Sequence, residues 1–454
     1  MRKVATILLV LLLAAAAAVY YVAGRSAVPA IQINQPGKFV GRQATLDATV
    51  ESPGSQLNAL NIALEQKGRT FALFSLASQG AATVKQETPD RVRITLPVGK
   101  AAIPDLEAGP ARVVVTASRP VLGGVRVLQS TAAHDFQVLL IPPSIGPVSS
   151  FHFINSGGSE MVVYRVTPAD VKSGVMVGDL FYPGFPASQA GVHTSDPSLK
   201  VAFFALLFDE DLNTPISLYA VDAAGNQAHA QFDYRVFEKP RKRSRIEISD
   251  AFLGRVVPAI MEHSPEVKPK GDLLQDFLTV NRDLRRIDAD RIDALSRETS
   301  STLLWKGAFH ALTNAQVESG FADHRTYYYK GQEIDQQVHL GFDLAVTANI
   351  PVLAANDGKV VWADYLGIYG NCVIIDHGMG VQSLYGHLSS IDVKAGDAVR
   401  KEQQIGRSGM TGLAGGDHLH FAMLIDGRPV NPVEWWDPHW IADRVTRKLE
   451  EAGR

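Results

Sequence analysis

Histidine and aspartate gather in short segments of the last third of this 454-residue chain: His339-Leu-Gly-Phe-Asp343, Tyr385-Gly-His387-Leu388 and His418-Leu-His420-Phe421, the last following a glycine-rich loop. On a strand, residues two apart project from one face, so His418 and His420 would stand side by side while Leu419 and Phe421 turn towards a core. Two imidazoles on one face beside Gly415-Gly416 make a poor core and a good site. His339 and Asp343 are four apart and would align on an extended strand or on a helix; Gly341 between them argues against a regular helix. Zinc in a hydrolase takes three protein ligands and leaves one position for water. Two histidines and one carboxylate suit it, and these segments supply those types. Zinc so held would lower the pKa of a water towards about 7 and polarise a scissile carbonyl. A histidine near the open position can take the water's proton, and a histidine can stabilise the oxyanion or protonate the leaving amine.

Residues from about 337 to 432 resemble the lysostaphin-like, or LytM-type, zinc endopeptidases of peptidase family M23. The resemblance is carried by His339-Leu-Gly-Phe-Asp343-Leu-Ala, Asp357-Gly-Lys-Val360, Tyr369-Gly-Asn-Cys-Val-Ile-Ile-Asp-His-Gly378 and Leu384-Tyr-Gly-His-Leu388. It continues through Val393-Lys-Ala-Gly396, Ile405-Gly-Arg-Ser-Gly409, His418-Leu-His-Phe421 and Pro429-Val-Asn-Pro432, all in the family's order. The resemblance implies that His339, Asp343 and His420 bind one zinc ion per chain and that His387 and His418 are the catalytic histidines. It does not say which of the two is the base. The chain departs from many relatives at Asn349-Ile350-Pro351, at Gly416-Asp417 before the His-x-His and at Ala422 after Phe421. None of these is a metal ligand, so altered groove contacts are expected rather than lost catalysis.

Other polar residues here read as structural. Asp376 and His377 end a strand before Gly378 and are expected to stabilise a turn, and Cys372 to be a small buried hydrophobe. Tyr327, Tyr328 and Tyr329, with Asp323 and Arg325, precede the domain core and either line a substrate groove or pack. Asn314 or Gln316 is the candidate for occluding the cleft near the metal.

The elements that must position these residues are mainly β. Val352–Ala354, Lys359–Ala363, Cys372–Asp376, Val381–Tyr385 and His418–Leu424 read as strands, and a final helix runs from about Ile441 to Glu451. Upstream, Leu273, Leu274, Phe277, Leu278, Leu284 and Ile287 recur at helical spacing with Asp272 near the N-cap. Arg282, Arg285, Arg286, Asp288 and Asp290 would form the wet face of that helix, and Leu303–Leu312 starts another helical segment. The run from Glu238 to Arg245 is a basic, solvated linker. Further back, Ala44–Val50, Thr70–Phe74, Arg91–Leu96 and Arg112–Ala117 form one set of short strands. Glu160–Val166, Lys200–Asp209 and Ile216–Asp222 form a second, with Pro-Gly and Gly-Pro turns in the first. Both sets read as β-sandwiches. Tyr219–Asn226 in the second resembles a late strand and turn of bacterial immunoglobulin-like domains.

Arg2 and Lys3 precede an uncharged apolar run from Val4 to Ala23. Twenty residues rising about 1.5 Å each span the roughly 30 Å hydrocarbon core of a bilayer. Val22-Ala23-Gly24 fits a cleavage site poorly, so an uncleaved signal anchor is expected, with the N-terminus in the cytoplasm. The single cysteine excludes an intrachain disulfide framework and a Cys-rich zinc module. A formal net charge of −3 leaves no electrostatic footprint for nucleic acid. With 46% hydrophobic and 20% charged residues, the chain has the composition of packed globular domains rather than a disordered tail.

The expected order is therefore a signal anchor (1–27), two β-sandwich, Ig-like modules (28–142 and 143–238), a basic linker and helical connector (239–315), a LytM-type zinc metallopeptidase β-domain (316–438) and a C-terminal helix (439–454). The expected function is hydrolysis of peptide bonds in peptidoglycan stems or cross-links by a single-pass protein of the cytoplasmic membrane. Most of the chain would be extracytoplasmic, periplasmic if the cell has an outer membrane. Expected partners are peptidoglycan, the membrane through the N-terminal helix and envelope proteins through the β-modules. The alternative is an inactive LytM-type regulator that binds or activates other cell-wall hydrolases.

Overall fold

The computed structural model describes residues 2–454 except 55, 79 and 346, and shows a mainly β chain with one N-terminal apolar helix. Two compact units divide it, one built from Met1–Pro143 and Val221–Ala228, the other from Ser144–Ala220 and His229–Arg454.

The first unit begins with helix α1 (Arg2–Ala23), rich in Leu and Ala, both strong helix formers, and stopped at Gly24. Among the described residues, its Lys3–Ala23 stretch is the one helical segment long and apolar enough to cross a membrane. Two sheets follow. One runs in the order 30–35, 44–51, 91–98, 83–88. The other contains a long hairpin of β1 (Gly109–Val121) and β2 (Arg126–Val138), with 59–66 and 69–75 beyond β1. Alternate residues of the two sheets, among them Leu46, Ala48, Leu60, Ile62, Ile94 and Val113, bury one shared core. Each of the four strands expected in this region is present.

In the second unit, Ser159–Thr167 pairs with Ser144–Pro147 on one side and Leu199–Ala205 on the other. The strand expected over Lys200–Asp209 stops at Ala205, because residues 206–209 turn away. The expected linker is a correction: its last three residues belong to β3 (Arg243–Ile248), which pairs in parallel with a strand 81 positions later, Arg243 opposite His324. Three helices come next. The first, α2 (Asp250–Glu262), was not expected, since Gly254 and Pro258 interrupt its pattern; Ser249 caps it, and Leu253, Val256, Val257 and Ile260 are buried. Then come α3 (Leu273–Thr279), capped by Asp272 as expected, and α4 (Arg285–Ser296), joined by a wider turn at Val280–Leu284.

Two further expectations fail here. Asp288 is not on a wet face: it is fully buried, accepting from the Ile368 amide at 2.9 Å. Leu303–Leu312 is not helical. Its backbone bonds instead to other segments (Leu304 N to His377 O, Phe309 N to Trp435 O, His310 N to Ala355 O), while Trp305 and Phe309 pack against Trp435. Long-range burial of the two rings outweighs the local apolar period.

The rest of this unit that bears on the site is built from β4 (Gln316–Ser319), β5 (Asp323–Tyr329), β6 (Gln332–His339), β7 (Phe342–Ala345), β8 (Gly358–Tyr365), β9 (Asn371–Gly378), β10 (Val381–Leu388) and β11 (Leu419–Ile425). β3, β5 and β6 make one small sheet, and the other runs β4-β7-β11-β10-β9-β8. Both faces of β9, β10 and β11 are buried, which explains their nearly continuous apolar sequences. The terminal helical stretch spans Pro438–Ala452 with a wider turn at Ala442–Thr446.

Candidate metal centre

Strand register brings the histidines and the aspartate together. Asp343 on β7 lies directly opposite His420 on β11, and Gly386 on β10 lies opposite His420 from the other side. His339 ends β6, and β7 begins after a two-residue step over Leu340-Gly341. That step passes so close to His420 that a Cβ on Gly341 would lie 2.5 Å from its Nε2, so glycine is required there. His387 follows Gly386 in a left-handed conformation, φ 64°, which is costly for a non-glycine residue.

All five residues of interest meet at one place, and each is buried. His339 Nε2 lies 2.9 Å from Asp343 Oδ1 and 3.0 Å from His420 Nδ1, and His420 Nδ1 lies 3.0 Å from Asp343 Oδ1. These three atoms form a triangle. His418 Nε2 stands 3.4 Å from the same carboxylate oxygen, and the His387 and His418 rings are 4.8 Å apart.

Backbone carbonyls set the ring tautomers. A carbonyl only accepts, so His339 Nδ1 donates to Gly320 O (3.0 Å), His387 Nδ1 to Thr411 O (2.8 Å) and His418 Nδ1 to Gly416 O (2.9 Å). In the neutral rings each Nε2 then carries a lone pair. His339 Nε2 therefore faces the Asp343 oxygen as one acceptor against another, an arrangement that needs a cation or an added proton between them. Tetrahedral zinc with ligands at about 2.0–2.2 Å separates its donor atoms by roughly 3.3–3.6 Å, a few tenths of an ångström more than the sides of this triangle. Two imidazole nitrogens and a carboxylate oxygen are a fitting donor set.

Burial alone would raise the Asp343 carboxyl, but the charge and hydrogen bonds of His339, His418 and His420 hold it well below the usual range. Burial, reinforced by His418 and His420, pushes His387 well below the ordinary imidazole value. His420 falls to about 4, mainly through burial, with its bond to Asp343 opposing. Burial would lower His418 too, yet Asp343 and the Gly416 carbonyl together raise it.

Sequence reasoning left one residue of this centre between two roles. Arg325 on β5 donates from Nη2 to Asp343 Oδ2 at 2.6 Å, leaving Oδ1 in the triangle. Its neighbour Asp323 accepts from Ser244 of β3 (2.8 Å) and Ser319 of β4 (2.9 Å). Of the tyrosines beside it, Tyr327 packs on Phe277 and also lines the cavity over the cluster together with Asp323 and Arg325, while Tyr329 donates to Asp250. Arg255 of α2 donates to the carbonyls of Ala414 and Gly415, in the loop before His418, which the sequence did not suggest. A cavity of about 950 Å³ opens on the cluster, with α2, β3 and Tyr369 among its walls; neither Asn314 nor Gln316, the expected occluders, lines it. Their strand segment instead pairs Gln316 with Ala345 at the sheet edge.

The remaining polar residues lie outside the cluster. Asp376 accepts from Thr299 Oγ1, Ser300 N and Gly378 N, and His377 bonds to Asp357 O and Ser383 Oγ. Both hold turns. Cys372 is buried and free. Two of the departures noted above contact each other: Asp417 accepts from the Asn349 amide and from Ser408 Oγ.

Residues 337–432 match the sequence profile of peptidase family M23. The chain is 43% identical over 97 residues to the DD-carboxypeptidase/endopeptidase Mpg of Neisseria meningitidis, a stretch covering 21% of this chain and 22% of that protein. It is 43% identical over 96 residues to the peptidoglycan DD-endopeptidase ShyA of Vibrio cholerae, again 21% and 22% of the two chains. An uncharacterized metalloprotease of Haemophilus influenzae is 40% identical over 120 residues, 26% of this chain and 25% of that one. The chain thus spans about a fifth to a quarter of the length of these relatives.

Proposed function

We propose that the chain, whose residues 337–432 match the profile of peptidase family M23, is a membrane-anchored zinc metalloendopeptidase cutting peptide bonds of peptidoglycan stems or cross-links. His339, Asp343 and His420 would hold one zinc ion per chain. The observation that carries this reading is the acceptor-to-acceptor contact of His339 and Asp343 at 2.9 Å, which a divalent cation relieves. Bound zinc supplies Lewis acidity towards a peptide carbonyl.

The chain's own groups do the rest. The Nε2 atoms of His387 and His418, freed by the Nδ1 bonds to Thr411 O and Gly416 O, are the proton carriers: one takes a proton from the attacking water and one delivers a proton to the leaving amine. Arg325 orients Asp343 by occupying its outer oxygen. The cavity walls of α2, β3 and Tyr369 exclude water and align the peptide.

The substrate class rests on the names of the relatives, peptidoglycan DD-endopeptidase among them. Membrane attachment rests on α1, which is long enough to span a bilayer, and with Arg2 and Lys3 before the span this reading has the rest of the chain outside the cytoplasm. The two-sheet packing of residues 28–142 acts as an Ig-like spacer that sets reach and partners. The sheets within 144–220 share one apolar core with the LytM-type domain (316–438) and buttress it, and residues 239–315 and the C-terminal helix (439–454) complete that unit.

The test is metal analysis of the full chain together with digestion of purified peptidoglycan and mass spectrometry of the fragments. One zinc per chain, and cleavage lost in His420→Ala and His387→Ala, would establish the reading. Zinc binding without cleavage of several wall types would overturn the enzyme and favour a LytM-type regulator.

A further inference from the structure

The tip of the long hairpin in the first unit is apolar where water-facing turns are ordinarily polar. Leu122, Val125 and Val127 keep 39%, 75% and 49% of their surface exposed. Connections between strands usually carry Gly, Asn and Asp, and clustered exposed aliphatics mark a surface meant for something other than water. This tip lies along the final turns of α1: Leu13, Ala16, Ala17 and Tyr21 share a groove with Leu122 and Val125.

A specific latch holds the two together. Arg126 donates from Nη1 to the carbonyl of Tyr20 at 2.7 Å, and its guanidinium stacks over the Tyr20 ring at 4.6 Å. The same guanidinium lies against Gly24, where a Cβ would fall 2.2 Å from it, so the latch needs a glycine at the helix end. Beside it, Arg25 donates to the Tyr21 hydroxyl at 3.0 Å. Two tyrosines and two arginines therefore form a belt at the end of an uncharged helix, the composition of a bilayer interface. From Tyr20 down to Leu13 the helix descends about 10 Å. Interfacial elements bury their apolar faces about 5–10 Å deep.

We propose that the hairpin tip, Leu122–Val127, is a second membrane contact that enters the outer leaflet beside α1, with the Arg126 latch fixing the unit's orientation on the lipid surface. This rests on the membrane anchor proposed above. The occupant is a phospholipid bilayer: aliphatic side chains enter the acyl region while Arg25 and Arg126 stay at the phosphate level. Up to the tip β1 and β2 pair with each other as far as Val121 and Arg126, and within it Val125 N donates to Leu122 O, which lowers the cost of that depth.

The chain's one cysteine is buried, so introduced cysteines can be labelled selectively. Full-length chains carrying Val125→Cys, Leu9→Cys or Arg69→Cys are labelled with an environment-sensitive fluorophore and reconstituted in phosphatidylcholine vesicles containing nitroxide-labelled lipid. Leu9 reports the anchor. Arg69 lies near the opposite end of the hairpin's sheet, beside the Glu65–Arg112 register pair. Quenching and a blue shift at Val125 and Leu9, with neither at Arg69, are the expected result. Adding Gly24→Leu should abolish quenching at Val125 and leave it intact at Leu9. Quenching at Leu9 but not at Val125 would overturn the second contact while the anchor stands. No quenching at Leu9, or loss of the helix from the mature chain, would overturn the anchor and this proposal with it.

Discussion

Asp343 is pulled in two directions at once, and each of its oxygens has a separate task. Oδ1 faces three imidazoles, whereas Oδ2 is held by Arg325 at 2.6 Å. Outer partners of this kind typically contribute 10–100-fold to metal affinity, because they keep the ligand in one orientation. Arg325→Ala should therefore weaken zinc binding by about 10–100-fold in a chelator competition, with Arg325→Lys recovering part of it. His387 is different: its Nδ1 bonds to Thr411 O and its ring lies outside the three-atom triangle. His387→Ala should retain zinc at one per chain while peptide cleavage falls by about 10²–10⁴, the usual share of a proton-transfer group. Loss of metal in that variant would mean that His387 is a ligand.

Elements decide which charges are tolerated inside. Asp288 enters from α4, fully buried, to cap the turn at Gly367–Tyr369, and Tyr369 in turn packs 5.3 Å from the His420 ring. Burial raises the Asp288 carboxyl from 3.8 to about 6, against the lowering influence of the Ile368 amide, Arg291 and Arg285; Glu266 adds to the rise. The folded state therefore holds a proton that the unfolded chain releases from about pH 4 upward. Stability should fall as pH rises from about 4 to 6, by up to about 3 kcal/mol for this group. Asp288→Asn should remove that component, which urea unfolding at pH 4.5 and 6.5 would measure. An unchanged slope would mean that another group carries it.

For the molecule as a whole, the candidate metal site links two sheets: His339 ends β6 of the small sheet, while Asp343 and His420 face each other on the paired β7 and β11 of the large one. A metal binding only the folded chain stabilises it by mass action, about 2.7 kcal/mol at a hundredfold excess over Kd. Chelation should accordingly lower the melting transition of the second unit (Ser144–Ala220 with His229–Arg454), and added zinc should restore it. A transition indifferent to chelator would argue against a metal held by these three residues.

Much of this was legible in order along the chain. The period-two alternation, the His-x-His on a strand, the His-x3-Asp and the apolar N-terminal run are local patterns, and local patterns survive in a linear sequence because each depends on neighbours two to four residues away. They marked the segments that meet at the centre, and the resemblance to family M23 singled out the five residues within them. Other features depended on partners far along the chain. The pairing of β3 with β5, the irregular course of Leu303–Leu312 under Trp435, the burial of Asp288 and the clamp of Arg325 on Asp343 all came from long-range contacts. For those, burial and hydrogen-bond satisfaction in the assembled fold outweigh local propensity by more than any nearby residue can signal. Short-range patterns in the sequence were enough to mark the groups that gather at the centre; contacts between distant segments fixed what holds them in place.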